Sequence, residues 1–227
     1  MKKPTLPEQI ASHLRRAILR GDLAPGDPVK ERDQAAEMNV SRTPMREAIR
    51  ILANEGLVHL RPARSPLVAN PSLAEITDAI DVLRALELLS GELACERATL
   101  EEIAEIREIH ERMSSLYDRI DTLDLFDIDM SFHTAIVHAA HNDALFETHK
   151  GFLERLWRAR YLSASQRKSR ERVLRQHGGI VEGLEQRDPE KVQFEIRGHL
   201  NALVDNIRSR FAEELAQEAE KGGNAAL

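Results

Sequence analysis

The feature that most constrains the fold of this chain is a basic helix at residues 41–55, which is followed by a short hairpin. Pro44 lies in the first turn of this helix, where a missing N–H costs little, and Gly56 marks its end. Apolar residues recur on one face at three- and four-residue spacing, and Arg42, Arg46 and Arg50 recur every four residues on another. With the short helix expected at residues 31–38, this pattern predicts a winged helix-turn-helix with a small β-wing.

The basic face of this helix is suited to the major groove of double-stranded DNA. Arginine neutralises phosphates and also binds a guanine edge through two hydrogen bonds. Ser41 and Thr43, either of which can cap the helix, place short donors near its N-terminus. An amphipathic surface helix whose arginines pair with Glu47 and Glu55 would show the same spacing. The preceding helix and the hairpin favour the DNA-binding interpretation.

The charge of the chain divides near residue 70. Residues 1–70 carry a net charge of +4, from twelve Lys and Arg against eight Asp and Glu, whereas the whole chain carries −6. Only the first part is therefore suited to a polyanion. No apolar stretch is long enough to span a membrane, and the single Cys95 excludes an internal disulfide. We expect a cytoplasmic protein.

The remainder of the chain reads as helices. Capping boxes at Ser72 and Thr99 begin two of them, and apolar periodicity predicts four more, at residues 124–140, 144–163, 169–187 and 189–216. Six helices with short loops predict an antiparallel bundle, and hence a mainly α protein. The predicted divisions are a winged helix-turn-helix at 1–68, a linker at 69–73, a helical domain at 74–216 and a flexible tail at 217–227.

Polar side chains interrupt the apolar stripes of three predicted helices. Asp129 and His133 lie four residues apart on one stripe, and His177 and His199 each interrupt another. One carboxylate and three imidazoles in a common interior suit a divalent transition metal. A single buried histidine is more often a hydrogen-bonded core residue, but one cation would satisfy all four groups. His149 also lies on an apolar stripe, so spacing alone does not choose among the histidines.

Two parts of the chain resemble known bacterial regulators. The turn G-x-L-x-P-G-D at residues 21–27 and the run S-R-T-P-x-R-E-A-I-R-x-L at residues 41–52 resemble the DNA-binding domain of GntR-type transcription regulators. Four later segments resemble the all-helical FCD ligand-binding domain of the FadR subfamily of these regulators, at residues 83–99, 129–145, 176–192 and 196–200.

The resemblance implies roles for particular residues in the first domain. It implies DNA contacts from the recognition helix and from the helix before it, at Arg32, Ser41, Arg42, Thr43 and Arg46. The family usually has glycine in its wing tip. Here the tip reads Arg61-Pro62-Ala63-Arg64, so that Arg61 and Arg64 keep its positive charge.

In the second domain the resemblance chooses among the histidines. It implies that Asp129, His133, His177 and His199 bind a divalent metal, which can be zinc, nickel, manganese or iron. The remaining histidines considered for this domain are then left with structural or surface roles, namely His110, His138, His141 and His149.

A cation bound by one carboxylate retains positive charge, so we expect a small organic acid as effector. Arg84, Arg158 and Arg160 are candidates to bind a second carboxylate or a hydroxyl group of that acid. Each of these arginines could instead form a surface ion pair, for example with Glu87 or Glu154.

Together these features predict a homodimeric, ligand-responsive regulator, most simply a repressor, that reads a palindromic operator with half-sites about 10 base pairs apart. Two alternatives stay open. A metal-free regulator that senses an acyl chain would need an apolar cavity. An Asp/His metalloenzyme would need a general acid or base beside the metal, which the stripes do not provide. We therefore expect no catalytic residues.

Overall fold

The computed structural model describes residues 3–165 and 170–224, with side chains described as far as residue 213. The chain divides into two compact units, Met1–Pro71 and Ser72–Leu227. Among the described helices, none has the length and apolar character needed to cross a bilayer.

The described part of the N-terminal unit contains three helices and a hairpin, which are α1 (Leu6–Arg20), α2 (Glu31–Glu37), α3 (Arg42–Asn54), β1 (Val58–Arg61) and β2 (Arg64–Val68). Helix α1 begins at a capping box between Thr5 and Glu8 and ends at Gly21, whose φ is +90°. Apolar side chains of α1 and α3 pack into one core, which includes Ile10, Leu14, Ile18, Met45, Ile49 and Leu52. Burial of this stripe leaves the arginine face of α3 exposed.

The wing is an antiparallel hairpin in which Val58 pairs with Val68 and Arg61 with Arg64. Its turn is Pro62-Ala63. Proline suits the first turn position, but Ala63 has a φ of +55°, a conformation that is unfavourable for a residue with a Cβ atom. The N–H of Val29 donates to the carbonyl of Pro66 at 2.8 Å, which ties the loop before α2 to β2.

The described part of the C-terminal unit contains seven helices, which are α4 (Leu73–Arg97), α5 (Leu100–Leu116), α6 (Thr122–Ala139), α7 (Asp143–Arg155), α8 (Trp157–Ala164), α9 (Arg170–Gln186) and α10 (Pro189–Asn224). Helices α4 and α5 begin at the predicted capping boxes. The carboxylate of Asp188 accepts from the N–H of Lys191 at 3.0 Å and caps α10. The fold class predicted from sequence, a winged helix-turn-helix and a helical C-terminal domain, is confirmed.

The prediction of one helix at residues 144–163 is wrong, because the chain divides at Leu156 into α7 and α8. The N–H of Leu156 is shared between the carbonyls of Phe152, at 3.2 Å, and Leu153, at 3.1 Å, so the last turn of α7 tightens. Leu153, Leu156 and Arg160 are all buried. The inward pattern therefore continues through the break, and periodicity could not reveal it.

Helix α10 continues to Asn224 rather than ending near residue 216. Of the flexible tail predicted at 217–227, residues 225–227 lie outside the described residues.

Helix α4 packs against α6, α7 and α10, while α9 packs against α5 and α10. Helices α4 and α10 approach closely at Gly91, where an added Cβ would lie 2.6 Å from a methyl carbon of Val192. This close packing brings the polar side chains of α4, α6, α9 and α10 into one interior.

Candidate functional site

The recognition helix α3 presents its polar residues to solvent. Ser41, Arg42, Thr43 and Arg46 are all exposed, as is Arg32 on α2. Ser41 occupies the N-cap position, but its side chain makes no capping hydrogen bond, so its hydroxyl remains available. These five residues, which the sequence assigned to DNA contact, are thus accessible in the isolated unit.

Glu31, at the start of α2, organises the arginines of α3. Its Oε2 atom lies 3.3 Å from both Nε and Nη2 of Arg46 and 3.6 Å from Nη2 of Arg42. One carboxylate therefore holds two guanidinium groups side by side on the exposed face. Sequence reasoning missed this residue, because its partners lie on the next helix and not on its own.

The two wing arginines differ in their surroundings. Arg61 is half-buried, and its Nε donates to the backbone carbonyl of Ser65 at 2.9 Å, so part of its donor capacity stabilises the wing. Arg64 is exposed on the other side of the turn. Of the two, Arg64 is the more available to a phosphate.

In the C-terminal unit the four predicted metal ligands come together. Helix α6 supplies Asp129 and His133, α9 supplies His177 and α10 supplies His199. One ring nitrogen from each of the three histidines lies within 4.8 Å of those of the other two. Oδ1 of Asp129 lies 3.6 Å from Nε2 of His177 and 3.9 Å from Nε2 of His133.

Several facing atoms of this cluster lack a hydrogen-bond partner among the described residues. Oδ1 of Asp129, Nε2 of His133 and both ring nitrogens of His177 are buried and make no hydrogen bond to the described residues. Leaving several buried polar atoms unpaired costs free energy that a shared cation would recover. Three imidazole nitrogens and one carboxylate oxygen are the donors that a divalent transition metal takes. The residues present therefore fit such an ion.

The protonation states also suit metal binding. Burial, followed by the positive charges of neighbouring histidines, holds the pKa of His177 well below its usual range. Burial, followed by the charges of His133 and Arg160, does the same to the pKa of His199. Both rings are therefore neutral at pH 7 and keep a lone pair for a ligand. Burial raises the pKa of Asp129, so its carboxylate gains from a nearby cation.

A buried carboxylate on α4, Glu87, supports this cluster. Its Oε2 atom lies 3.2 Å from Nδ1 of His133, and its Oε1 atom accepts from Nη1 of Arg160 at 3.1 Å. Burial alone would raise the pKa of Glu87, but the charges of His133 and Arg160 outweigh it and hold the pKa well below its usual range. An ionised Glu87 keeps the proton of His133 on Nδ1, which leaves the lone pair on Nε2 facing the cluster.

The sequence contained a signal for Glu87 that was not used. Ile80, Leu83, Glu87 and Ala94 lie on one buried stripe of α4, so Glu87 interrupts an apolar face as Asp129 does. Sequence reasoning treated it as a surface partner for an arginine. The structure corrects this point, since Glu87 is 4% exposed and its arginine partner is the buried Arg160.

The other histidines have different surroundings. Nε2 of His149 lies 3.7 Å from Glu87, which is too long for a hydrogen bond, and His149 is not among the three clustered histidines. His141 pairs with Glu102 at 2.9 Å, and His138 packs edge-on against Phe146. His110 is half-buried, with its ring centroid 6.5 Å from that of His177.

A cavity of about 60 Å³ adjoins the cluster. Asp129 and His199 line one part of it, and Arg160, Arg172 and Gln176 provide further polar groups. The rest of its lining is largely apolar and includes Met113, Leu125, Phe126, Val173 and Leu203. Because a water needs about 10–15 Å³ by this measure, the cavity holds roughly four to six waters.

Of the three arginines proposed from sequence to bind an effector, only Arg160 lines this cavity. Arg84 pairs with Asp81 at 3.1 Å and borders a separate surface depression between α4 and α10. Arg158 is absent from the cavity lining. Arg172, which does line it, was missed. The sequence offered only a weak signal for Arg172, namely its position on the same predicted helix four residues before Gln176 and five before His177.

Comparison with known proteins gives matches to both units. Residues 6–68 match the family of bacterial regulatory proteins called the gntR family, and residues 78–202 match the FCD domain. The HTH-type transcriptional repressor RspR of Escherichia coli (strain K12) is 30% identical over 207 residues, which cover 90% of this chain and 91% of RspR. The probable D-xylose utilization operon transcriptional repressor of Paenarthrobacter nicotinovorans is 28% identical over 211 residues, or 90% of this chain and 89% of that protein. The structure of E. coli McbR/YncC shares the fold, with a TM-score of 0.72 and 20% identity over 95% of this chain and 100% of that chain.

Proposed function

Because the chain belongs to the GntR family of bacterial regulators, we propose that it is a repressor whose helical domain binds a divalent metal and a small organic acid. It is a DNA-binding transcriptional regulator with an FCD domain and not an enzyme, as its relatives are regulators. The observation that carries the proposal is the convergence of Asp129 with His133, His177 and His199. Facing atoms of Asp129, His133 and His177 have no hydrogen-bond partner among the described residues.

Each residue of the cluster has a distinct task in this proposal. His133, His177 and His199 would each supply one neutral ring nitrogen to the ion, and Asp129 would supply one oxygen. Glu87 orients His133 and holds Arg160 at the edge of the cavity. The bound ion supplies residual positive charge, which attracts an anionic oxygen.

The chemistry of the adjoining cavity supports an acid effector over an acyl chain. Its polar groups include two arginines, and it holds only a few water-sized volumes. A long acyl chain would need a larger apolar space. The complete set of Asp and His ligands also argues against a metal-free sensor.

DNA recognition is proposed for Arg42 and Arg46 of α3, with Arg32, Ser41 and Thr43 beside them and Arg61 and Arg64 on the wing. Glu31 would fix the two arginines of α3 before DNA arrives, which lowers the entropy lost on binding. Two copies of the chain would read a palindromic operator, since symmetric half-sites match a homodimer. We place this activity in the cytoplasm, where the chromosome lies.

Effector binding changes DNA affinity only if it favours one conformation of the regulator. In the chain, α4 follows β2 after four residues, and it carries Glu87. Acid binding near Arg160 would therefore act on the helix of the C-terminal unit that is nearest in sequence to the wing. We propose this Arg160–Glu87 contact as the connection between the cavity and α4.

The metal part of the proposal is tested by the metal content of the purified protein. After loading with Zn²⁺ and dialysis, the wild-type protein should retain one ion per chain, and the double variant His177→Ala, His199→Ala should retain none. A matched control replaces His138 and His141, which lie outside the cluster. An unchanged zinc content in the cluster variant, or an equal loss in the control, would contradict the assignment.

A further inference from the structure

Two arginines from different helices face the cavity beside the proposed metal site. Arg160 comes from α8 and Arg172 from α9, and both line the cavity together with Asp129 and His199. Both guanidinium groups therefore lie beside one space.

The two arginines are not equally available. Arg160 is almost fully buried, and its Nη1 atom donates to Glu87 at 3.1 Å. The Nε atom of Arg172 is buried without a hydrogen-bond partner among the described residues. A buried guanidinium donor without an acceptor costs free energy, which an anionic ligand would recover. Arg172 is therefore the better candidate for direct contact with a ligand.

A second unpartnered group lies beside Arg172. Gln176 is one turn further along α9, is 5% exposed and lines the same cavity, and its Oε1 atom has no hydrogen-bond partner among the described residues. A side-chain amide can present either its oxygen or its nitrogen to a ligand. Arg172 and Gln176 together form a polar face suited to the end of a small ligand.

The charge of the site points to a ligand with two negative charges. A divalent ion and two arginines carry four positive charges, against two negative charges from Asp129 and ionised Glu87. Two positive charges remain in a confined space, and a dianion would neutralise them. The volume restricts such a ligand to a short carbon chain.

We propose that the effector is a short dicarboxylate, with one carboxylate bound by Arg172 and the other directed toward Arg160 and the metal-binding side chains. This inference rests on the proposed function, because it specifies which organic acid the regulator senses. Arg172 acts here as the residue that discriminates dicarboxylates from monocarboxylates. A monocarboxylate of the same length would leave Arg172 without an acceptor.

The test compares succinate with butyrate, which have the same four-carbon chain and differ only in the second carboxylate. Binding of each acid to the zinc-loaded full-length protein is measured by isothermal titration calorimetry. Succinate should bind at least about tenfold more tightly than butyrate, the lower limit for a charge-assisted hydrogen bond. The variant Arg172→Gln should reduce this ratio to near one through a loss of succinate affinity, while butyrate affinity is unchanged.

Arg175→Gln is the matched control. Arg175 lies on the same helix and is exposed, and its nearest acidic partner among the described residues is Glu195 at 4.0 Å. This variant should keep the wild-type ratio of succinate to butyrate affinity. Circular dichroism on each variant verifies that the helical content is retained.

The possible results separate this inference from the proposed function. Equal binding of butyrate and succinate, or an unchanged ratio in Arg172→Gln, would overturn the dicarboxylate proposal while an acid-sensing regulator still stands. Binding of neither acid to the zinc-loaded wild-type protein would overturn both.

Discussion

Replacing Glu87 with Gln tests how the buried network of α4 supports the metal site. The carboxylate accepts from two donors, Nη1 of Arg160 at Oε1 and Nδ1 of His133 at Oε2. Glutamine has one acceptor oxygen and one NH₂ donor, so it satisfies only one of these partners. Because arginine cannot accept a hydrogen bond, the oxygen should face Arg160 and the NH₂ group should face His133.

That orientation reverses the tautomer of His133. Nδ1 must then accept a hydrogen bond, and the proton moves to Nε2, which is the nitrogen that faces the cluster. Loss of such a supporting carboxylate lowers metal affinity about 10- to 100-fold, which corresponds to about 1.4–2.8 kcal/mol. Arg160 also loses its counter-charge, and we expect the free energy of unfolding of the metal-free protein to fall by about 3 kcal/mol.

Zinc affinity is measured by competition with a chelating indicator, under conditions where circular dichroism shows both proteins to be folded. Glu92→Gln is the control, since Glu92 lies on the same helix and is exposed, and among the described residues its carboxylate accepts only from Gln193, at 3.1 Å. It should bind zinc as the wild type does. Wild-type zinc affinity in Glu87→Gln would refute the proposed orientation of His133.

Three further predictions concern DNA contact, the wing and pH. Arg46→Ala should weaken operator binding about 5- to 150-fold in fluorescence anisotropy without altering the zinc content. The control Arg175→Ala should leave the operator affinity unchanged. Retention of full operator affinity by Arg46→Ala would contradict the proposed DNA contact. Ala63→Gly should raise the free energy of unfolding of the N-terminal unit by about 0.5–1 kcal/mol in urea denaturation, because glycine adopts a positive φ without strain. A lower free energy of unfolding in this variant would show that Ala63 is not strained. The metal-free protein should be less stable to urea at pH 5.5 than at pH 7.5, because the lowered pKa values of His177 and His199 let only the unfolded chain bind protons as pH falls below about 6.5. Each histidine then costs about 1.4 kcal/mol at pH 5.5, and equal stability at both pH values would show that these rings are not held neutral in the folded chain.

The order of elements followed from local signals in the sequence. Capping boxes at Ser72 and Thr99, and Asp188 before Pro189, mark helix starts through hydrogen bonds within a few residues, so no tertiary information was needed. The break at Leu156 gave no such signal. It involves neither proline nor glycine, and the buried positions keep helical spacing on both sides.

The pattern of the sequence revealed the Asp/His cluster only in part, because polar residues at inward positions break an apolar stripe but His149 does so too. The resemblance to the FCD domain chose among the histidines. Glu87 obeys the same rule, but its partners His133 and Arg160 come from other helices, and only packing reveals that they meet. The surroundings of Arg172 and Arg84 could not be predicted from the sequence for the same reason. Both are arginines on predicted helices, and which one faces the cavity depends on helix rotation and crossing geometry that one sequence does not determine.

The most direct test of the account is a linkage measurement between metal, acid and operator. An operator is first selected from random DNA duplexes with the purified protein, and its affinity is then measured by fluorescence anisotropy with and without an acid that binds the zinc-loaded protein. We expect the acid to weaken operator binding of the zinc-loaded wild type by about 5- to 150-fold and to have no effect on the double variant His177→Ala, His199→Ala. An acid that binds the wild type without changing its operator affinity, or that changes the operator affinity of the variant equally, would contradict a metal-dependent acid sensor.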